Sequence, residues 1–98
     1  MDLKIIWSPR ALEGFDQIVL YLERNWSEKE VRAFVGQINQ FLELLSKNPR
    51  LLQKCSKQRN LYRGPMNRLT ILTYRINRGE NTIELVNIRP AKQEPTDK

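Results

Sequence analysis

Histidine is absent from this chain of 98 residues, and cysteine occurs once, at Cys55. A Cys–His nucleophile, a Ser–His–Asp triad, a histidine acid–base pair and a Cys/His zinc site are therefore all excluded. A lone cysteine also closes no internal disulfide. The four glycines are scattered, and none stands at the spacing of a phosphate-binding or dinucleotide-binding loop. No apolar run approaches the ~20 residues of a membrane span. The opening MDLKIIWSPR has an acidic second residue and too short an apolar run for a secretory signal, so a cytoplasmic protein with no membrane partner is expected. Carboxylates are few and fall mostly on helix faces, which argues against a metal site or a glycosidase pair. No cofactor and no metal are expected.

What the chain has in quantity is positive charge: 17 Lys and Arg against 11 Asp and Glu, a net +6. The excess is uneven, because Lys47 to Arg78 holds nine cations and no acid. Such a segment attracts a polyanion or an acidic protein segment, or else forms a solvated surface that keeps the protein dispersed. With 40% hydrophobic and 29% charged residues the composition is that of a folded domain. The length suits one core, so residues 1–98 read as a single domain with a flexible tail from 90 to 98.

The pattern predicts an α+β fold. LKIIW (Leu3 to Trp7) is short, β-branched and apolar, and reads as a strand. Ser8 then suits an N-cap and Pro9 the first helical position. Ala11, Phe15, Ile18 and Leu22 recur at helical spacing, with Leu12 and Val19 widening the face. Gly14 weakens this helix by roughly 1 kcal/mol relative to alanine. Ser27 and Glu30 form a capping box for a second helix, whose stripe runs through Val31, Val35, Ile38, Leu42 and Leu45 with Phe34 and Phe41 beside it, until Asn48-Pro49 stops it. Arg50 to Arg59 shows no period and reads as an irregular connection. NLYRG, RLTILTYRI and TIELVNI then read as a three-stranded antiparallel meander with turns at Gly64–Asn67 and Asn77–Asn81. One sheet with an antiparallel helical hairpin on one face follows.

Alternation in RLTILTYRI puts Leu72, Tyr74 and Ile76 on one side of that sheet and Ile71, Thr73 and Arg75 on the other. Arg75 then projects from the uncovered face, either paired with Glu84 across the hairpin or free to meet a phosphate. Arg63, Lys54 and Lys57 are further candidate phosphate binders, and Arg59 belongs to the same basic run. Tyr62 is either half-buried core or a platform on which a base could stack.

Order and spacing across nearly the whole chain resemble the RelE/ParE toxins of bacterial type II toxin–antitoxin systems. IIWSPRALEGFDQIVLYLERNW is similar to the opening strand and first helix of that family, with Ser8, Ala11, Ile18 and Tyr21 at its habitual positions. VRAFVGQINQFLELLSKNP resembles its second helix, and the later strands its hairpin. In the tail, Lys92-Gln93 stands where Arg-Gln is usual. The resemblance implies an antitoxin partner whose disordered C-terminal segment wraps the toxin, in a homodimer or a toxin–antitoxin hetero-oligomer. It also implies one of two targets. RelE-like members enter the ribosome and cleave mRNA, with the 2′-hydroxyl as nucleophile; ParE-like members bind DNA gyrase. Cleavage is the leading expectation, with Arg63, Arg75 and Lys92 around the scissile phosphate and Lys54, Lys57, Arg59 and Tyr62 binding nucleic acid. The chain has no C-terminal His or Tyr such as some RNA cleavers place near the leaving group. Gyrase inhibition, or a non-toxic nucleic-acid-binding or interaction module, is the alternative.

Overall fold

The computed structural model of the chain describes residues 2–55 and 60–91. Its elements are β1 (Lys4–Trp7), α1 (Pro9–Asn25), α2 (Glu28–Lys47), β2 (Gln53–Lys54), β3 (Leu61–Pro65), β4 (Thr70–Asn77) and β5 (Thr82–Pro90). The strands form one five-stranded sheet in the order β1-β5-β4-β3-β2. All neighbours are antiparallel except β1 and β5, which run parallel with Lys4 opposite Thr82 and Trp7 opposite Leu85. A parallel pair needs a long crossover, and here the helical hairpin and the meander together supply it.

Caps set the helix limits. The Ser8 hydroxyl accepts from the Ala11 amide at 3.0 Å and donates to the Val86 carbonyl at 3.1 Å, so it starts α1 and also ties that start to β5. Ser27 and Glu30 make the reciprocal capping box of α2. Ala11, Ile18 and Leu22 of α1 and Phe34, Ile38, Leu42 and Leu45 of α2 are buried against Leu72, Tyr74, Ile76, Ile83, Leu85 and Ile88 of the sheet. Each fully buried aliphatic side chain contributes about 1.5–3 kcal/mol, so this layer is the main source of stability. Phe15 joins the helices to the first strand, edge-on to Trp7 at 5.4 Å and stacked on Phe34 at 6.0 Å.

Three details differ from the sequence reading. The connection after α2 contains a strand, β2, paired with Arg63 and Tyr62 of β3; two residues carry no readable period. Leu12, expected to widen the α1 core face, is 49% exposed, because α1 leans on β5 rather than broadly on α2. Strand β5 runs to Pro90, where Thr70 pairs with it and the Ala91 amide donates to the Leu69 carbonyl at 2.8 Å. The expected tail thus keeps Pro90 within the sheet, and residues 92–98 lie outside the described ones. Between Thr73 and Tyr74 the register with β5 slips by one residue, a bulge opposite which Asn87 faces Thr73 and Leu85 faces Tyr74. No helix among the described residues is long and apolar enough to cross a membrane.

Candidate functional site

Two surfaces carry side chains that the core does not use. The first is a groove of about 1500 Å³ between α1, α2 and the turn that leads into β4. Ile18, Leu22, Phe34, Met66 and Ile88 make its apolar floor. Tyr21 and Leu44 flank it from the two helices, 61% and 50% exposed, and Trp26 closes one end at 39%. Arg10, Arg68 and Arg89 also line it, against Glu13 and Glu30. Asn67 fixes the third wall: its Oδ1 accepts from the amides of Leu69 (2.9 Å) and Thr70 (3.0 Å) and from the Thr70 hydroxyl (2.7 Å). Its Nδ2 donates to Gln37 Oε1 of α2 at 3.1 Å, so Arg68 and Leu69 are carried on a turn latched to the helix.

The second surface is the sheet face away from the helices. Register sets Ile6, Glu84, Arg75 and Leu61 in one row across β1, β5, β4 and β3. Arg63 lies opposite Thr73 in the adjacent row, with Gln53 beyond it. Arg75 Nη1 is 3.4 Å from Glu84 Oε1, with side chains 50% and 43% exposed. Arg75 thus projects from the uncovered face and is paired there with Glu84. An exposed pair of this length contributes under about 1 kcal/mol. Arg75→Ala should therefore leave the denaturation midpoint almost unchanged. A loss of more than about 1.5 kcal/mol in urea unfolding would show that Arg75 supports the fold in some way beyond this pair.

The expected nucleic-acid constellation does not assemble as a unit. Arg63 and Arg75 share the open face. Lys54 pairs with Tyr62, which puts it on the helix side of the sheet, although it is exposed there at the sheet edge. Tyr62 is buried and stacks flat on Tyr74, with centroids 5.2 Å apart and planes 7° apart, so its ring is a core group and offers no platform for a base. Lys57, Arg59 and Lys92 lie outside the described residues. Tyr74 is fully buried; its hydroxyl donates to the Pro49 carbonyl at 2.7 Å and accepts from the Leu52 amide at 3.3 Å. Burial pushes its pKa up to about 12, and Tyr62 adds to the rise, while the Leu52 hydrogen bond opposes it. At neutral pH this phenol keeps its proton.

Sequence reasoning missed the groove. A signal was present: Tyr21, Trp26 and Leu44 are large apolar residues outside the core stripes of their helices.

The sequence matches, over residues 5–95, the family described as the ParE toxin of the type II toxin–antitoxin system parDE. The chain belongs to the ParE toxin family. It is the toxin component of a type II toxin–antitoxin system. Solved structures agree in fold. The chromosomal ParDE system of P. aeruginosa contains a chain similar to the toxin at a TM-score of 0.74 and 13% identity, covering 92% of this chain and 97% of that one. The RelBE2 toxin–antitoxin complex of Mycobacterium tuberculosis gives 0.63 and 14%, covering 92% and 99%. The YoeB dimer of Staphylococcus aureus gives 0.58 and 23%, covering 91% and 97%. No curated protein matches the sequence of the toxin.

Proposed function

We propose that this toxin arrests growth by binding a protein, DNA gyrase, rather than by cutting RNA. The observation that carries the reading is where its aromatic residues stand. The chain has three Phe, three Tyr and two Trp. Five are on the helices or their turn, and Trp7, Tyr62 and Tyr74 face the helix side of the sheet. The open face that bears Arg63 and Arg75 thus has no ring on which an unstacked base could rest, and stacking on aromatic side chains is a main source of single-strand affinity. Tyr74, on the strand of Arg75, is buried and holds its proton at neutral pH, and Tyr62, on the strand of Arg63, is buried too, so neither phenol is placed to serve a 2′-hydroxyl as a base. In this reading the antitoxin's C-terminal segment seats in the groove, its apolar side chains on the Phe34–Ile88 floor and its acids toward Arg10, Arg68 and Arg89.

Pulse labelling in bacterial cells expressing the chain tests this. DNA synthesis should stop first, with a DNA-damage response and intact mRNA, and co-expressed antitoxin should restore growth. Amino-acid incorporation stopping first would sink the gyrase reading. It would favour a second one, ribosome-dependent mRNA cleavage, which the shared face and diagonal placement of Arg63 and Arg75 support. There Arg63, Arg75 and Lys92 would stabilise the scissile phosphate, with Lys57 and Arg59 binding flanking phosphates. Arg75→Ala would then slow cleavage by at least about tenfold, the effect of losing ~1.4 kcal/mol of transition-state stabilisation.

A further inference from the structure

We infer that the helix-free face of the sheet is the surface with which this toxin grips its target, and that it fits an acidic protein segment carrying aliphatic side chains. The inference rests on the reading of the toxin as a binder of a protein. The row Ile6–Glu84–Arg75–Leu61 crosses four strands, a span of about 14 Å at the usual strand spacing. Its centre is an ion pair and its ends are aliphatic, with Ile6 41% exposed and Leu61 partly exposed. Ile71 stands four residues along β4 from Arg75 on the same face, also partly exposed.

Lys4 and Arg63 are exposed on this face, and neither has an acidic partner among the described residues. With Arg75 and Glu84 offsetting one another, cations remain without a counter-charge, so a complementary partner must bring carboxylates. A second copy of the chain would bring the same cations and be repelled. Aliphatic side chains gain from covering one another and shedding water, as interface cores do. A nucleic acid would instead present flat bases, and the face offers them no ring. The groove opens on the helix side and adjoins this face only along the end of β5, at Asn87 and Arg89, which lie opposite Thr73 and Ile71.

Three full-length double variants test the assignment in bacterial cells, with melting temperature measured on each. Lys4→Glu with Arg63→Glu reverses the unpaired cations, and Ile6→Ser with Ile71→Ser removes the aliphatic contacts. Arg24→Glu with Lys29→Glu makes the same change of charge at the hairpin turn. Each face pair should raise the toxin level needed for growth arrest by at least about tenfold, the equivalent of ~1.4 kcal/mol of lost affinity, while the hairpin pair arrests growth like wild type. Should a face pair melt early, Arg63→Gln and Ile6→Thr alone carry the same comparison. Undiminished arrest by both face pairs overturns the assignment, and so does loss confined to one pair. Wild-type binding of a single-stranded oligoribonucleotide that Lys4→Glu with Arg63→Glu abolishes would also overturn it. Supercoiling by purified gyrase is measured separately: no inhibition by wild type removes gyrase as the target, yet leaves the face assigned if both pairs lose arrest.

Discussion

Gly14→Ala should lower the stability of this toxin by at least about 2 kcal/mol, although alanine is the better helix former by roughly 1 kcal/mol. The glycine sits on the side of α1 that meets the sheet, where a methyl group would fall inside the van der Waals shell of the Ile88 carbonyl oxygen and 3.1 Å from its carbon. Both obstacles are backbone atoms of β5, a strand paired on one side with β4 and over its first half with β1. Neither can turn aside as a side chain would. The helix must lift, loosening Ile18 and Leu22 over the sheet and pulling on the Ser8 hydroxyl that ties α1 to Val86. Gly36 is the control. It lies on the exposed side of α2 with nothing within 4 Å of the added methyl, so Gly36→Ala should gain about 1 kcal/mol from propensity alone. In a domain of this size each kcal/mol moves the melting temperature by about 4–8 °C. The two alanines should therefore shift it in opposite directions, and a Gly14→Ala protein that melts at or above wild type would mean that α1 does not approach β5 as closely as described.

The same glycine shows where the sequence stops being readable. Local chemistry was legible: the Ser8-Pro9 start, the Ser27–Glu30 capping box, the stripes of both helices and the alternation of β4 all act within a few residues of chain. Gly14 read only as a weakness, because its reason is a carbonyl 74 positions later, a separation fixed by topology and not by any local period. The parallel pairing of β1 with β5 was hidden for the same cause. The candidate site divides in the same way. Arg75 and its partner Glu84 followed from hairpin register, whereas Lys54 was grouped with Arg63 on charge, and only the pairing of Lys54 with Tyr62 sends the two to opposite faces. Charge density along the chain says nothing about faces; once folded, the basic run from Lys47 to Arg78 distributes Arg68 to the groove and Arg63 and Arg75 to the open sheet. The groove itself arises from three segments distant in sequence, and its trace in the chain was a few apolar residues off the main stripes.

Tyr74 supports the last expected result, a loss of stability at alkaline pH that a single hydroxyl controls. In the folded toxin the phenol is fully buried, and burial, more than the nearby Tyr62, pushes its pKa up to about 12. In the unfolded chain it titrates near the ordinary ~10. The fold therefore favours the protonated form. Below a pH of about 10 both states keep the proton and the contribution is complete; between about 10 and 12 only the unfolded state releases it, and stability falls by about 1.4 kcal/mol per pH unit. The loss levels off once the folded state titrates too, after roughly 2–3 kcal/mol in all. Tyr74→Phe removes this slope but strands the Pro49 carbonyl and the Leu52 amide, both bonded to the hydroxyl, at a cost of about 1–3 kcal/mol near neutrality. Urea unfolding of both proteins across pH 8 to 12 decides the matter, because the two differ by the Tyr74 hydroxyl alone. The advantage of wild type over Tyr74→Phe should be largest at pH 8–9 and shrink or reverse by about pH 12. A difference that stays constant over that range would mean that Tyr74 ionises as easily in the folded toxin as in the unfolded chain, and that its hydroxyl does not close the segment between α2 and β2.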